Sequence, residues 1–294
     1  MRLWTAVLLL STAAAAATPP SLAEYAPPGT EMIFGIRMSS INTALSSQGV
    51  SQELHAKIAD VLASTPLAGF DPLRDLDEVL LAGAAEGEKP PSIGVLIGRF
   101  DIDRFAKDAP RYHGVPIIES KKAPDGMLAL VDASTAIVGT PALVRAAIDG
   151  RGQGGHISAA LMARAETLHA KYDIWGAANP PAKAARAGAQ PDPFDSVDRF
   201  DFGAALRHGV EAAAEIHVRS RQDADKMAST LRLFEAMMKA QQPSANGAKF
   251  DMQVQNGTLK VALNIPPAAL KKAMTTQRAA IQQAFLKQMP PALA

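Results

Sequence analysis

The residues best placed to hold a ligand are two Arg/Asp pairs in matching surroundings. Gly98-Arg99-Phe100-Asp101-Ile102-Asp103 leaves one expected hairpin, and Val218-Arg219-Ser220-Arg221-Gln222-Asp223 leaves another. Each exit pairs an arginine with an aspartate able to cap the helix that follows. If the halves enclose a cleft, Arg99, Asp101, Arg219 and Asp223 are the polar groups expected to line it. Acidic residues also gather twice, at Asp71, Asp75, Asp77 and Glu78, and at Asp192, Asp195, Asp198 and Asp201. Carboxylates in such groups can take a hard cation, but neither group matches the D-x-D-x-D-G loop with its distant glutamate. They can also supply a general acid and base when burial brings two together. Turn and cap chemistry at hairpin entries accounts for both groups without either role.

Other chemistries are excluded by type or by context. Gly150-Arg151-Gly152-Gln153-Gly154-Gly155 matches G-x-G-x-x-G, yet it follows an expected helix where a dinucleotide site needs a strand. A helix stop and linker is the reading that fits. The histidines at 55, 113, 156, 169, 208 and 217 form no H-E-x-x-H pattern, so a zincin is ruled out. His208 and His217 can face each other across a hairpin, but a third metal ligand is missing. No G-x-S-x-G elbow, S-x-x-K tetrad or P-loop is present. The absence of cysteine removes disulfides, thiolate metal sites, a catalytic thiol and a lipid-modified cysteine. A net charge of +1 gives no basic footprint for nucleic acid. No cofactor and no metal is expected. Asn256-Gly257-Thr258 fits a glycosylation pattern, but a hairpin turn explains it.

The elements that would carry these residues are short strands and helices. Strands are expected at 32–38, 79–85, 93–100, 115–120, 127–132 and 135–139, and helices at 51–63 and 103–109. Thr140-Pro141 opens a further helix, with threonine as cap and proline at the first helical position. The second part repeats the order, with strands at 172–177, 200–206 and 213–219. A helix over 223–240 then places Met227, Leu231, Phe234 and Met238 on one face. Asn256-Gly257 joins two alternating strands, because both turn positions need φ > 0. Pro266-Pro267 starts a terminal helix expected to reach about residue 288. Segments 84–92, 176–196 and 241–248 read as mobile loops, and Trp175 at the start of the longest covers a core edge.

The chain of 294 residues, 48% hydrophobic, is therefore expected to be α+β. Two tandem repeats, 24–150 and 151–294, each form an antiparallel sheet of hairpins with helices packed on one face. Residues 1–23 read as a signal peptide, with Arg2 as the charged start and an apolar stretch too short to span a bilayer. Two cleavage signals follow, Ala15-Ala16-Ala17 and Ser21-Leu22-Ala23. After cleavage no segment is apolar enough to cross a membrane, and the destination is the periplasm or the medium.

The run Asp71-Pro72-Leu73-Arg74-Asp75-Leu76-Asp77-Glu78-Val79-Leu80-Leu81-Ala82-Gly83 resembles a group of exported bacterial proteins of duplicated α+β architecture with no assigned activity. Gly98-Arg99-Phe100-Asp101 and the helix from Ala142 to Asp149 carry the same resemblance, which covers residues 25–150 well and the second half weakly. It implies an exported α+β protein and transfers no catalytic residue. The function expected is non-enzymatic binding of a protein or envelope ligand. The alternative is a periplasmic hydrolase built on Asp75 and Asp77, or on Asp195, Asp198 and Asp201. Oligomeric state is left open by the sequence.

Overall fold

The computed structural model describes residues 20–272, apart from 48, 50, 64, 86–90, 120–125, 152, 154–155, 181–192 and 242–246. The chain opens with α1 (Pro20–Tyr25), β1 (Met32–Arg37), α2 (Met38–Ser47), α3 (Ser51–Leu62) and α4 (Pro72–Asp75). It continues through β2 (Leu76–Gly83), β3 (Ser92–Gly98), α5 (Ile102–Phe105), β4 (Arg111–Tyr112), β5 (Val115–Glu119), β6 (Met127–Leu130), β7 (Thr135–Gly139) and α6 (Pro141–Asp149). The second part comprises α7 (Ala159–Lys171), β8 (Ile174–Ala178), β9 (Val197–Ala205), β10 (Val210–Val218), α8 (Arg221–Gln241), β11 (Lys249–Gln255) and β12 (Thr258–Ile265).

The α+β class and the antiparallel hairpins agree with the sequence. Whether the two halves share a sheet is left open by the sequence, and the structure joins them. All strands join one 12-stranded sheet in the order β11-β12-β10-β9-β8-β1-β2-β3-β7-β6-β5-β4. β1 and β8 pair antiparallel at the join, with Met32 opposite Ala178 and Ile36 opposite Ile174. Read outward from that join, β1-β2-β3-β7-β6 is matched by β8-β9-β10-β12-β11.

Helices cover both faces and not one. Leu128, Leu130, Ala136 and Val138 point into a core with α2, α3 and α5, through Leu45, Ile58 and Phe105. Their strand neighbours Met127, Ala129 and Ile137 point into a second core with α1, α6 and α7, through Leu22, Val144 and Leu161. Strands buried on both sides need apolar residues at consecutive positions, which is why β6 reads Met-Leu-Ala-Leu without alternation. A third, smaller core lies under α8, where Ala224, Met227 and Ala228 meet Val197, Ile216 and Leu259.

Local chemistry sets many boundaries as the sequence implies. Thr140 accepts a hydrogen bond from the backbone N–H of Leu143 at 3.4 Å and Pro141 takes the first helical position. Asn256 and Gly257 have φ of 50° and 78°, as a two-residue hairpin turn requires. Gly150 caps the C-terminus of α6, so the glycine-rich run is a helix stop followed by the Ser158 cap of α7. α2 was absent from the expectation. Trp175 is not at a loop edge but the second residue of β8, 1% exposed, with its indole seated over Gly35 on β1. The 176–196 segment likewise contains the end of β8 and the short turn Pro193–Ser196, and 181–192 lie outside the described residues. So do most of the expected signal segment, Phe234 and Met238 as side chains, and the part of the expected terminal helix beyond 272.

Candidate functional site

β9, β10, β12 and β11 have one apolar face and one polar face. Ile216 and Leu259, with the partly buried Phe200, Met252 and Val254, meet α8. Pairing registers set Arg199 opposite His217, Asp201 opposite Glu215 and Gly203 opposite Ala213 on the other face. They continue it with Thr258, Lys260 and Ala262 on β12, then Gln255, Gln253 and Asp251 on β11. α7 walls this face on one side only. Between that wall and the sheet runs a groove of about 650 Å³, with Leu168, Tyr172, Ala213 and Ala262 among its lining residues. The floor is low because its residues are small. Gly203 has no room for a side chain, since a Cβ there would stand 2.0 Å from the Tyr172 ring.

A charged network borders the floor. Arg164 Nη1 of α7 donates to Asp201 Oδ1 at 2.9 Å, and its other nitrogen reaches Asn179 Oδ1. Arg199 joins the two facing carboxylates, with Nε 3.4 Å from Asp201 Oδ2 and Nη2 3.0 Å from Glu215 Oε1. Arg199 also touches the His217 ring. His217 Nε2 lies 2.8 Å from Glu215 Oε1, and its Nδ1 is 3.0 Å from the Thr258 hydroxyl. Burial raises the Asp201 carboxyl above its ordinary range despite Arg164 and Arg199. Burial also acts upward on Glu215, but the His217 hydrogen bond and the Lys260 charge outweigh it and hold that carboxyl below its ordinary range. Desolvation lowers Arg164, and Asp201 opposes that shift.

The sequence-derived candidates fall into two pairs. Arg99 and Asp101 lie beyond the end of β3 in a shallow cleft of about 480 Å³ with Arg74, Asp75 and Arg104. Arg99 Nη2 donates to the Arg74 carbonyl at 2.6 Å, and Asp101 caps α5 by accepting from Arg104 N at 3.1 Å. Arg219 and Asp223 lie beyond the end of β10, where Arg219 N bonds to Ser196 O at 3.1 Å and Asp223 pairs with the Ser220 hydroxyl at 2.6 Å. Gly98 aligns through the ladders with Leu76 and, across the sheet, with the Ile174–Ala204 end. Val218 pairs with Val197 at the opposite end. The two pairs therefore lie at opposite margins of the sheet and do not line one cleft.

Each acidic group divides: Glu78 pairs with the buried His169 at 2.9 Å and Asp201 belongs to the groove network, while other members do turn and cap chemistry. Asp71 caps α4 and pairs with His55, and Asp75 accepts from Asp71 N at 2.8 Å and from Arg74. Asp77 and Asp198 are exposed, the latter as the extra residue of a bulge against β10. His208 occupies the β9–β10 turn, a strand length from His217, so the two do not meet. Among the described residues no group of three or more His, Asp or Glu could hold a metal, and no helix is long and apolar enough to cross a membrane.

Solved structures give the fold a relative. In crystal form III the Treponema protein TP0453 aligns over 87% of this chain and 97% of its own, with a TM-score of 0.51 and 9% identity. The fold is similar to that of TP0453. Crystal form I of TP0453 gives 0.48 at 8% identity, covering 89% of this chain and 98% of that one. Crystal form IV gives 0.46 at 10%, covering 87% and 95%. No protein-family model and no curated protein matches the chain. TP0453 thus carries over an architecture and no residue. The groove, with Arg164, Glu215 and Lys260, escaped sequence reading. The signal that would have found it is the period-two polar set Arg199-x-Asp201, Glu215-x-His217 and Thr258-x-Lys260 on three neighbouring strands.

Proposed function

We propose that this is an exported, non-enzymatic binding protein that holds an amphiphilic anion of the cell envelope in the groove between α7 and the β9–β12 half of the sheet. The observation that carries the reading is a concave site of drug-like size with a small-residue floor beneath a mostly neutralised charged border. The apolar floor suits a hydrocarbon or ring body. Arg164 and Arg199 are bound to Asp201 and Glu215, which leaves the rim cations Lys171 and Lys260 for an anionic head. Lys171 Nζ stands 4.9 Å above the Tyr172 ring, and Lys260 makes a long contact of 3.9 Å with Glu215. The N-terminal signal in the sequence supports export, and the matched strand orders support descent of the halves from one duplicated unit.

The test uses anilinonaphthalene sulfonate, a fluorescent amphiphilic anion, with Ala262→Phe as the variant. Ala262 is exposed on the floor, so a phenyl ring fills the groove without displacing packed neighbours. Saturable binding to the folded protein, lost in the variant, is the expected result. Absence of binding, or equal binding by the variant, would overturn the proposal.

A second reading has one observation behind it. Asp201 and Glu215 face each other with acidities moved in opposite directions, a pattern that also separates a general acid from a base. Both carboxylates are engaged by Arg199, which favours the binding reading. Hydrolysis of envelope esters or glycosides by the wild type that disappears in Asp201→Asn would reverse that order.

A further inference from the structure

We propose that the outer edge of β11 is a dimerisation surface, and that two copies join there into one continuous sheet about a two-fold axis at Met252. The sheet begins with β11, and among the described residues no strand pairs with its far side. The strand is seven residues long, pairs with β12 without a bulge and contains no proline, so of the common devices that blunt an open edge it carries only charge, at Lys249 and Asp251.

The hairpin fixes which backbone groups are free. Its two-residue turn makes Gln255 and Thr258 the closing, hydrogen-bonded pair, so Gln255, Gln253, Asp251 and Lys249 spend their N–H and C=O groups on β12. Phe250, Met252 and Val254 direct theirs outward. A second β11 running antiparallel, with Met252 opposite Met252, matches these three residues and forms six backbone hydrogen bonds.

The side chains agree with that register. It sets Phe250 opposite Val254 and Met252 opposite itself on the α8 face, so the partly buried Met252 and Val254 extend one small core into the other. On the polar face it sets Lys249 opposite Gln255 and Asp251 opposite Gln253, with no like charges facing. Centring the axis on Asp251 would oppose two aspartates, and centring it on Gln253 would shorten the overlap. The axis is perpendicular to the sheet, so both copies of α8 lie on the same side of the join. α8 carries Leu233, a large apolar residue that is 64% exposed. Within one chain, β1 and β8 already make an antiparallel join of the same kind between the two halves.

The experiment is sedimentation equilibrium on the chain without its signal segment, with two variants. Met252→Pro removes an outward N–H and leaves the bonds to β12 in place. The chain has no cysteine, so Met252→Cys introduces a single thiol. In the proposed register the paired Cα atoms are about 5.5 Å apart, inside the disulfide range. Gln253→Cys, which faces Asp251 of the other copy, serves as its control. A wild-type dimer, a Met252→Pro monomer, and a disulfide-linked dimer from Met252→Cys but not Gln253→Cys are the expected results. A monomeric wild type, a dimer unaffected by Met252→Pro, or failure of Met252→Cys to cross-link would overturn the proposal. None of these readouts depends on whether the groove binds a ligand.

Discussion

Asp173 is a heavily engaged carboxylate that sits where the two halves meet. It is 2% exposed, and it accepts from Arg37 Nη1 at 2.9 Å, Ser40 Oγ at 2.8 Å and the Leu206 backbone at 2.8 Å. Arg37 also donates to the His169 carbonyl at 3.0 Å, so β1, α2, α7 and the end of β9 are tied at one point. Burial alone would raise the pKa of this carboxyl, but the Leu206, Ser40 and Arg37 donors outweigh it and hold it below the ordinary 3.8. A carboxyl lowered in the folded state stabilises the fold above its unfolded value, and that contribution fades as pH falls through the folded one. Asp173→Asn keeps the shape and loses the charge, which leaves Arg37 without its counter-ion. The expected loss is about 3 kcal/mol at neutral pH. In urea titrations the gap between wild type and variant should shrink as the pH drops below 3.8. A gap independent of pH would show that the charge is not what holds the junction.

Glycines on the central strands govern how those elements pack. Gly35 on β1 faces Trp175 on β8, and a Cβ at that position would stand 2.4 Å from the indole. Gly35→Ala must therefore push a fully buried ring out of place, at an expected cost of about 1–3 kcal/mol. Trp175 is the only tryptophan after residue 23, so in a chain that starts beyond it the fluorescence reports the displacement directly. An unshifted spectrum together with unchanged stability would contradict the packing described. The same pair shows what was legible in the sequence. β6, β7, α6 and the β11–β12 hairpin could be read because local signals define them: apolar runs, a Thr-Pro cap, and Asn-Gly between alternating strands. The strand around Trp175 could be read as well, at 172–177, but not the burial of its indole, because alanine, glycine and proline follow it and resemble a loop until β1 and β9 supply the partners. α2 was missed for a related reason. Its run of serines, asparagine and threonine has weak helical preference, and only Met38 and Leu45 anchor it in the core. The groove combines residues from α7, β9, β10 and β12, a convergence that no single segment displays.

At the scale of the whole molecule, the position of α1 decides between the two cleavage signals of the proposed export segment. Cutting after Ala23 would remove most of α1, and cutting after Ala17 would leave it whole. α1 belongs to the fold. Leu22 is 0% exposed in the core shared with β2, β3 and α6, and Tyr25 and Ala26 are each 3% exposed beside it. Ala26 N bonds to Leu22 O at 3.0 Å, and Arg151, just beyond α6, holds Glu24 at 3.2 Å. A cut after Ala23 would leave a leucine-sized cavity under the first half of the sheet, worth about 3–5 kcal/mol from the leucine alone. Selection among cut sites that yields a stable product therefore favours Ala17, and the exported protein should begin at Thr18. Intact-mass measurement of the secreted or periplasmic product reads this directly. Comparison of chains starting at Thr18 and at Glu24 then tests the physical cause: the shorter chain should unfold at distinctly lower denaturant, and Leu22→Ala in the longer one should reproduce much of that loss. Equal stability of the two chains would mean that α1 is dispensable to the core. A product starting at Glu24 with the stability of the longer chain would remove the reason for preferring the earlier site.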